Sequence, residues 1–457
     1  MRLLVIGGSD AGISAGLRAR ELDPTADVTL LVADRYPNFS ICGIPYHVSG
    51  EVPHWRNLAH RTTDDLEAVG LHLQLGHRAV AIDPAAHTVT ATTPHGDETT
   101  FGYDRLVVGT GAVPARPPVE GLDRLGPADG VHVLHTMDDT FALLESIKRR
   151  QARTAVIVGA GYIGLEMAEA LTTRGLHVTV LEQVDQVMPT IDAELAEPLA
   201  EHLRAHGVTV QHGTQVHAVT ADGDRLRVDT AAGSHHGDIV LVVTGVRPDV
   251  QLAADAGAAL GVRGAIAVDR GMRTNLPDVY AAGDCVHTYH RILDRNVYLP
   301  LGSTAHKQGR VAGANALGGD AVFAGSLGTQ AVKVFDLVAA GTGLRDHTAR
   351  DAGYDPVTVA TTADDHKAYY PGATPIRIRV TGDRTTGRLL GAQLLGHRGA
   401  EIAKRVDVFA AAISYGASVA DVADLDLSYT PPLGSPWDAV QVAAIGWERV
   451  SSAVPHR

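Results

Sequence analysis

Ala155-Val156-Ile157-Val158 runs straight into Gly159-Ala160-Gly161-Tyr162-Ile163-Gly164, and this stretch decides the fold. Four apolar residues read as a buried strand, and the glycines after them are spaced G-x-G-x-x-G. Gly159 permits a tight turn, Gly161 lets a pyrophosphate approach the backbone, and Gly164 lets helix and strand pack closely. A helical pattern over Leu165 to Arg174 follows, then a second strand, Val178-Thr179-Val180-Leu181. Strand, glycine turn, helix and strand make a βαβ unit whose helix start offers N–H donors to a phosphate. Tyr162 and Ile163 lie in that turn. Glu182 closes the second strand, where an acid accepts hydrogen bonds from an adenosine ribose. A carboxylate there repels a 2′-phosphate, so NADH is expected over NADPH.

The chain opens with the same design. Leu3-Leu4-Val5-Ile6 runs into Gly7-Gly8-Ser9-Asp10-Ala11-Gly12, then a helical pattern from Ile13 to Leu22 and the strand Val28 to Val32. Ser9 stands for the middle glycine and is small enough to keep the backbone approachable. Val32 stands where the acid is expected, and Asp34 two residues on is the candidate for the ribose. Two such units, roughly 150 residues apart, imply two nucleotide-binding domains. Further strands at Tyr103 to Ala112, Ile239 to Gly245 and Val279 to Asp284 fit that division. From about Gly328 the pattern turns to strands such as Ile376-Arg377-Ile378-Arg379-Val380, with helical stretches near Glu401 to Tyr415, as in an α+β domain. The chain after Trp447 carries little signal.

At 457 residues the chain divides into two to four domains, and 45% hydrophobic with 20% charged residues is ordinary for a globular protein. No run of about eighteen apolar residues offers a membrane span, and the opening apolar run is too short for a signal peptide. A net charge of -13 argues against nucleic acid as a partner. Two cysteines far apart make a disulfide scaffold improbable and a reducing cytoplasm the expected compartment. The 23 histidines are scattered without HExxH or paired Cys/His spacing, so no metal is expected.

The two units, their order and the residues between them resemble the pyridine nucleotide–disulfide oxidoreductase family over essentially the whole chain. Thr110-Gly111-Ala112 is similar to the family's small-residue turn beside FAD, Thr244-Gly245-Val246-Arg247-Pro248 to its G-x-R-P turn, and Ala281-Ala282-Gly283-Asp284 to its flavin motif. The resemblance implies an α/β fold of two Rossmann-like domains, the second inserted in the first, plus a C-terminal α+β dimerisation domain. It places an FAD domain at 1–150 and 271–327, an NAD(H) domain at 151–270 and the dimerisation domain at 328–457. It further implies FAD contacts from Asp34, Arg35, Ser40, Val80, Asp284 and Gly302-Ser303-Thr304-Ala305, and a homodimer.

Cys42-Gly43-Ile44-Pro45-Tyr46 resembles the C-G-x-P-Y of the family's single-cysteine branch, since neither a C-x₄-C pair nor a C-terminal His-Pro base is present. That branch holds coenzyme A-disulfide reductases, persulfide reductases, NADH oxidases and NADH peroxidases. Tyr369-Tyr370-Pro371-Gly372 and Tyr429-Thr430-Pro431-Pro432 are also similar to it. The likeness implies that Tyr370 and Tyr429 reach the thiol from a partner subunit. A cysteine at a helix start has its pKa lowered, so Cys42 is expected to favour the thiolate and to form a mixed disulfide or a sulfenic acid. Cys285 reads as a small buried thiol without a catalytic role.

Two departures bear on the substrate. Asp10 stands where peroxidases and oxidases of the branch carry a histidine, and an ionised carboxylate repels a sulfenate. Asn38-Phe39-Ser40-Ile41 stands where coenzyme A-disulfide reductases carry Ser-Phe-Ala-Asn, and Ile41 lacks the amide that contacts pantetheine. The resemblance assigns Arg18, Arg20 and Asn38 to the substrate. The expected enzyme is an FAD-dependent NADH:disulfide or persulfide oxidoreductase acting on a small thiol, a coenzyme A derivative leading. The alternatives are an NADH oxidase forming peroxide or water, and a flavin- and NADH-binding redox sensor that does not turn over.

Overall fold

The computed structural model describes residues 1–452. The first segment forms Arg2–Ile6 (β1), Asp10–Leu22 (α1), Asp27–Val32 (β2), Ile44–Ser49 (α2), Leu71–Leu75 (β3) and Arg105–Val108 (β4). The next forms Val131–His132 (β5), Thr154–Val158 (β6), Tyr162–Thr173 (α3), His177–Leu181 (β7), Ala193–Ala205 (α4), Thr209–Gln211 (β8) and Ile239–Val242 (β9). Val279–Ala281 (β10) and Gly302–Ala316 (α5) come after it. The last segment contributes Gln330–Val334 (β11), Leu337–Gly343 (β12), Pro356–Asp364 (β13), Pro375–Asp383 (β14), Leu389–His397 (β15), Ile402–Ser414 (α6) and Ala439–Ser452 (α7).

The apolar runs become the inner strands of two parallel sheets, ordered β10-β4-β1-β2-β3 and β8-β7-β6-β9-β5. Parallel strands are covered on both faces, which is why these runs are continuous rather than alternating. Val5, Val28, Leu30, Ile157 and Val180 are all fully buried. Because β10 pairs with β4 in parallel register, the second sheet is inserted within the first. The third sheet, β11-β12-β15-β14-β13, is antiparallel and packs on α6 and α7 through Phe409 and Trp447. Trp447 Nε1 donates to the Val357 carbonyl at 2.8 Å, so the chain after Trp447 continues a docked helix as far as Ser452 rather than trailing off. Residues 453–457 of that expected tail lie outside the described residues.

Helices α1 and α5 meet along small residues. A Cβ on Gly309 would fall 2.2 Å from the Ala11 carbonyl oxygen, and one on Gly313 would fall 2.2 Å from that of Ala15. The backbones therefore touch, which sets the start of α5 directly against the start of α1. A Cβ on Gly302 would lie 2.8 Å from Asp10 Oδ2.

Candidate active site

Both glycine turns fold alike. Gly7 and Gly159 have φ of 116° and 108°. A Cβ on Gly12 or Gly164 would fall 2.1 Å from the carbonyl oxygen of Gly7 or Gly159 respectively, so only glycine closes either turn. The space beyond Gly161 is open, as a pyrophosphate requires. The strand ends differ. Glu182 is buried and its two oxygens accept the N–H groups of Ala160 at 2.7 Å and Val184 at 3.1 Å, so it lies against its glycine turn. Val32 packs under Gly8 instead, where a Cβ would come 2.6 Å from Val32 Cγ1. Asp34 accepts the Tyr36 N–H at 2.8 Å, and burial raises its carboxyl pKa. Arg35 is exposed beside it, and Val80 is exposed at a bulge between Ala79 and Ala81.

The loop from Tyr36 to Cys42 is held by an aromatic cluster of Tyr36, Phe39, Trp55 and Phe141 with ring centroids 5.4–5.9 Å apart. Ser40 N–H donates to the Leu58 carbonyl at 2.9 Å. Ile41–Gly43 makes one tight turn and α2 starts after it, its six residues lying on α3 of the inserted unit. Tyr46 Oη donates to Glu166 Oε1 at 3.2 Å, and Arg174 donates to the Val48 carbonyl. Cys42 thus sits where the two nucleotide units meet. It is free and exposed.

The expected thiolate needs correction. Enough protein surrounds Cys42 that desolvation raises its pKa, and the carboxylates of Glu166, Asp10 and Asp284 raise it further. Cys42 precedes a helix of only six residues, which offers little dipole to offset that rise. Glu166 is itself pushed up to about 7, chiefly by burial.

Two of the expected substrate residues are placed elsewhere. Arg20 donates to the carbonyls of Val69, Pro24 and Ala26, which commits its guanidinium to the fold. Asn38 is 1% exposed, with φ of 61°, and its N–H donates to the Gly8 carbonyl at 2.7 Å. Asn38 therefore lies beneath the first glycine turn. Arg18 pairs with Glu21 at 2.9 Å and stays partly exposed.

Around the first turn the structure gathers most of the expected flavin residues. Ser9 precedes α1 with its hydroxyl making no capping bond. Ala11 lies under Gly283, whose N–H donates to Gln308 Oε1 at 3.0 Å. Thr110 Oγ1 donates to the Asp249 carbonyl at 2.6 Å, while Gly111 and Gly245 take φ of 74° and 114° over open space. Ser303 is exposed, and Thr304 and Ala305 are buried in the first turn of α5. Burial, reinforced by Asp10, pushes Asp284 up to about 6. Asn38 Nδ2 is buried without a hydrogen-bond partner. An unpaired amide and a desolvated acid at one Gly-rich turn are what a bound dinucleotide with a hydroxylated chain would satisfy, so these residues fit FAD.

Three further residues escape the sequence reading. His306 Nε2 lies 3.3 Å from Asp10 Oδ1 while its Nδ1 is 2.8 Å from Ser14 Oγ, and His60 stands nearby. Burial raises the Asp10 pKa, and these two histidines partly offset the rise. Glu166 is the third. His306 directly follows the expected Thr304-Ala305 pair, a signal within reach; nothing in the sequence links Glu166 or His60 to Cys42.

Tyr370 and Tyr429 are exposed on the C-terminal unit. Tyr429 hydrogen-bonds Tyr369, and Lys367 N–H reaches the Pro431 carbonyl at 3.3 Å, so the two tyrosine loops adjoin. Cys285 is fully buried, its thiol directed at the Ala282 carbonyl at 3.4 Å.

Residues 1–309 match the family described as pyridine nucleotide-disulphide oxidoreductase, and residues 329–439 match its dimerisation domain. The chain is 34% identical over 444 residues to an NAD(P)H sulfur oxidoreductase (CoA-dependent) of Pyrococcus furiosus, covering 97% of this chain and 98% of that one. It is 31% identical to an NADH oxidase of Methanocaldococcus jannaschii, covering 97% of this chain and 98% of the other. Its fold superposes on a NAD-dependent persulfide reductase from A. fulgidus with a TM-score of 0.94 at 37% identity, covering 99% of this chain and 84% of that one. Among the described residues no helix is long and apolar enough to cross a membrane.

Proposed function

The chain belongs to the pyridine nucleotide-disulphide oxidoreductase family, and from that premise we propose that it uses NADH to reduce the disulfide or persulfide of a small thiol through Cys42. The observation that carries this reading is the position of Cys42: a free, exposed thiol at the junction of two nucleotide units, with the other cysteine buried. FAD, when bound at the first glycine turn, supplies the two-electron chemistry that couples a nicotinamide to sulfur. In sum, NADH, a proton and one disulfide give NAD⁺ and two thiols.

The protein's own part begins with Cys42 Sγ, which attacks one sulfur of the substrate. A mixed disulfide forms, the substrate S–S bond breaks, and the departing thiolate takes a proton. Asp10 pairs with His306 at 3.3 Å on the first glycine turn. Two electrons then free Cys42. Glu166 and Tyr46 fix α2 against the inserted unit and so hold the thiol at the junction.

We assign residues 1–150 and 271–327 to FAD, 151–270 to NAD(H) and 328–457 to dimer formation, with Tyr370 and Tyr429 meeting the thiol of the other subunit. Within these, Gly7 to Gly12, Asp284 and Asn38 hold FAD, and Gly159 to Gly164 with Glu182 hold NADH. Glu182, buried against its turn, supports NADH over NADPH; Glu182→Ser should narrow that preference by about tenfold in kcat/KM. Arg18 is left to meet an anionic substrate such as a coenzyme A derivative. Two unlinked thiols fit a cytoplasmic setting.

Similarity to an NADH oxidase favours a second reading, in which oxygen is the acceptor. Steady-state NADH consumption with a panel of disulfides and persulfides, in air and without oxygen, separates the two. Acceptor-dependent turnover that survives removal of oxygen is expected. Consumption that needs oxygen and ignores every sulfur acceptor would overturn the reductase.

A further inference from the structure

His202 lies in the last turn of α4 and His206 caps its C-terminus, one helical turn apart and facing the same way. The hairpin joining β11 to β12 docks there. Its tip carries Phe335 and Asp336, and its root is tied to α3, where Glu169 pairs with Lys333 and accepts the Phe335 N–H at 2.8 Å. One nitrogen of each histidine and one oxygen of Asp336 all lie within 4.8 Å of one another.

The protons are already arranged for coordination. His206 Nδ1 lies 2.9 Å from the His202 carbonyl, which can only accept, so Nδ1 carries the proton and Nε2 keeps its lone pair. Phe335 stacks on the His206 ring at 3.9 Å and 9°, fixing its direction. His202 Nε2 has Asp336 Oδ1 as its neighbour at 2.7 Å, off the line of a regular hydrogen bond. On the outer side, His397 Nδ1 accepts the Gly399 N–H at 3.1 Å, so its proton sits on Nε2, 3.5 Å from Asp336 Oδ2. A ligating carboxylate whose second oxygen is held by an imidazole N–H is the outer arrangement that metal centres use.

We infer that His202, His206 and Asp336 form a binding site for a divalent transition metal, zinc by its donor set, with His397 as the outer partner of Asp336. Two imidazoles, one carboxylate and a fourth open position match zinc at bond lengths of about 2.0–2.2 Å. Tetrahedral geometry then spaces the donors about 3.3 Å apart, so the His202–Asp336 pair at 2.7 Å opens slightly while the wider separations, all within 4.8 Å, close. This proposal departs from the expectation of no metal read from sequence spacing. The His-x₃-His pair is present in the sequence, but its third ligand lies 130 residues away on another unit. Because α4 belongs to the inserted unit and Asp336 to the C-terminal one, the ion would clip the two together.

The test uses the full-length, flavin-loaded Cys42→Ser variant, so that the exposed thiol does not compete, stripped with chelator and titrated with zinc chloride by calorimetry. One equivalent per chain should bind, and the thermal midpoint should rise with it. His206→Phe keeps the stack on Phe335 but removes a donor, and Asp336→Asn keeps shape. Each should weaken binding by more than about tenfold and abolish the thermal shift, while His397→Ala should weaken it by about tenfold. Absence of stoichiometric binding would overturn the proposal. So would binding that ignores both His206→Phe and Asp336→Asn, or binding lost in His60→Ala, which would place the ion at the Asp10, His60 and His306 group instead.

Discussion

Cys42 and Cys285 are the chain's two thiols, and the protein raises the pKa of both. Cys285 is pushed up to about 11, fully buried with its thiol against the carbonyls of Val108 and Ala282. Cys42 is raised by partial desolvation and three acids, yet stands open at a junction. What separates the two thiols in the structure is access. Burial and the carboxylates of Glu166, Asp10 and Asp284 all oppose the Cys42 thiolate.

The largest expected effect breaks the pair apart. Cys42→Ser should lower disulfide turnover by at least about 10³-fold, whereas Cys285→Ala should stay within about threefold of wild type. Equal losses in the two variants would erase the distinction.

A smaller effect comes from the wall that buries Cys285. Asp284 has its pKa raised from 3.8 to about 6, so its contribution to stability is complete below the unfolded value and is lost as pH rises through about 6. Flavin-free protein should lose on the order of 2–3 kcal/mol from this group between pH 4 and pH 7. Denaturant titrations of Asp284→Asn should show that part of the slope removed. An unchanged slope would mean that Asp284 is solvated.

The smallest effect tunes the open thiol. Alkylation of Cys42 by iodoacetamide, followed by intact mass, should be slow at pH 7 and rise with pH, while Cys285 stays unmodified until the protein unfolds. Asp10→Asn removes one of the charges that oppose the thiolate and should speed the pH 7 reaction roughly threefold to tenfold. A slower reaction would reverse the sign assigned to Asp10.

The parts of this site written in contiguous residues were legible. Gly7 to Gly12, Gly159 to Gly164 and the strands before them follow from apolar runs that break on glycine, and Cys42 from the residues around it. Its electrostatics were not, because Glu166, Asp10 and Asp284 come from segments that only the tertiary fold brings near. Arg20 was misread for the same reason: its partners are backbone carbonyls, which no side-chain pattern announces. Asn38 was misread because a left-handed φ turns its amide inward.

The late arrival of β10 has a consequence for how the molecule is made. On the ribosome, β4 emerges with its outer edge unpaired, and β10 follows only about 170 residues later. At common rates of synthesis that interval is on the order of 10–30 s, during which an apolar parallel strand stands ready to pair with any other chain. Helix α5, which seals α1, is later still. The nascent chain, more than the finished enzyme, is where this protein is open to misassociation, and slower growth or a chaperone that shields strand edges should raise its yield.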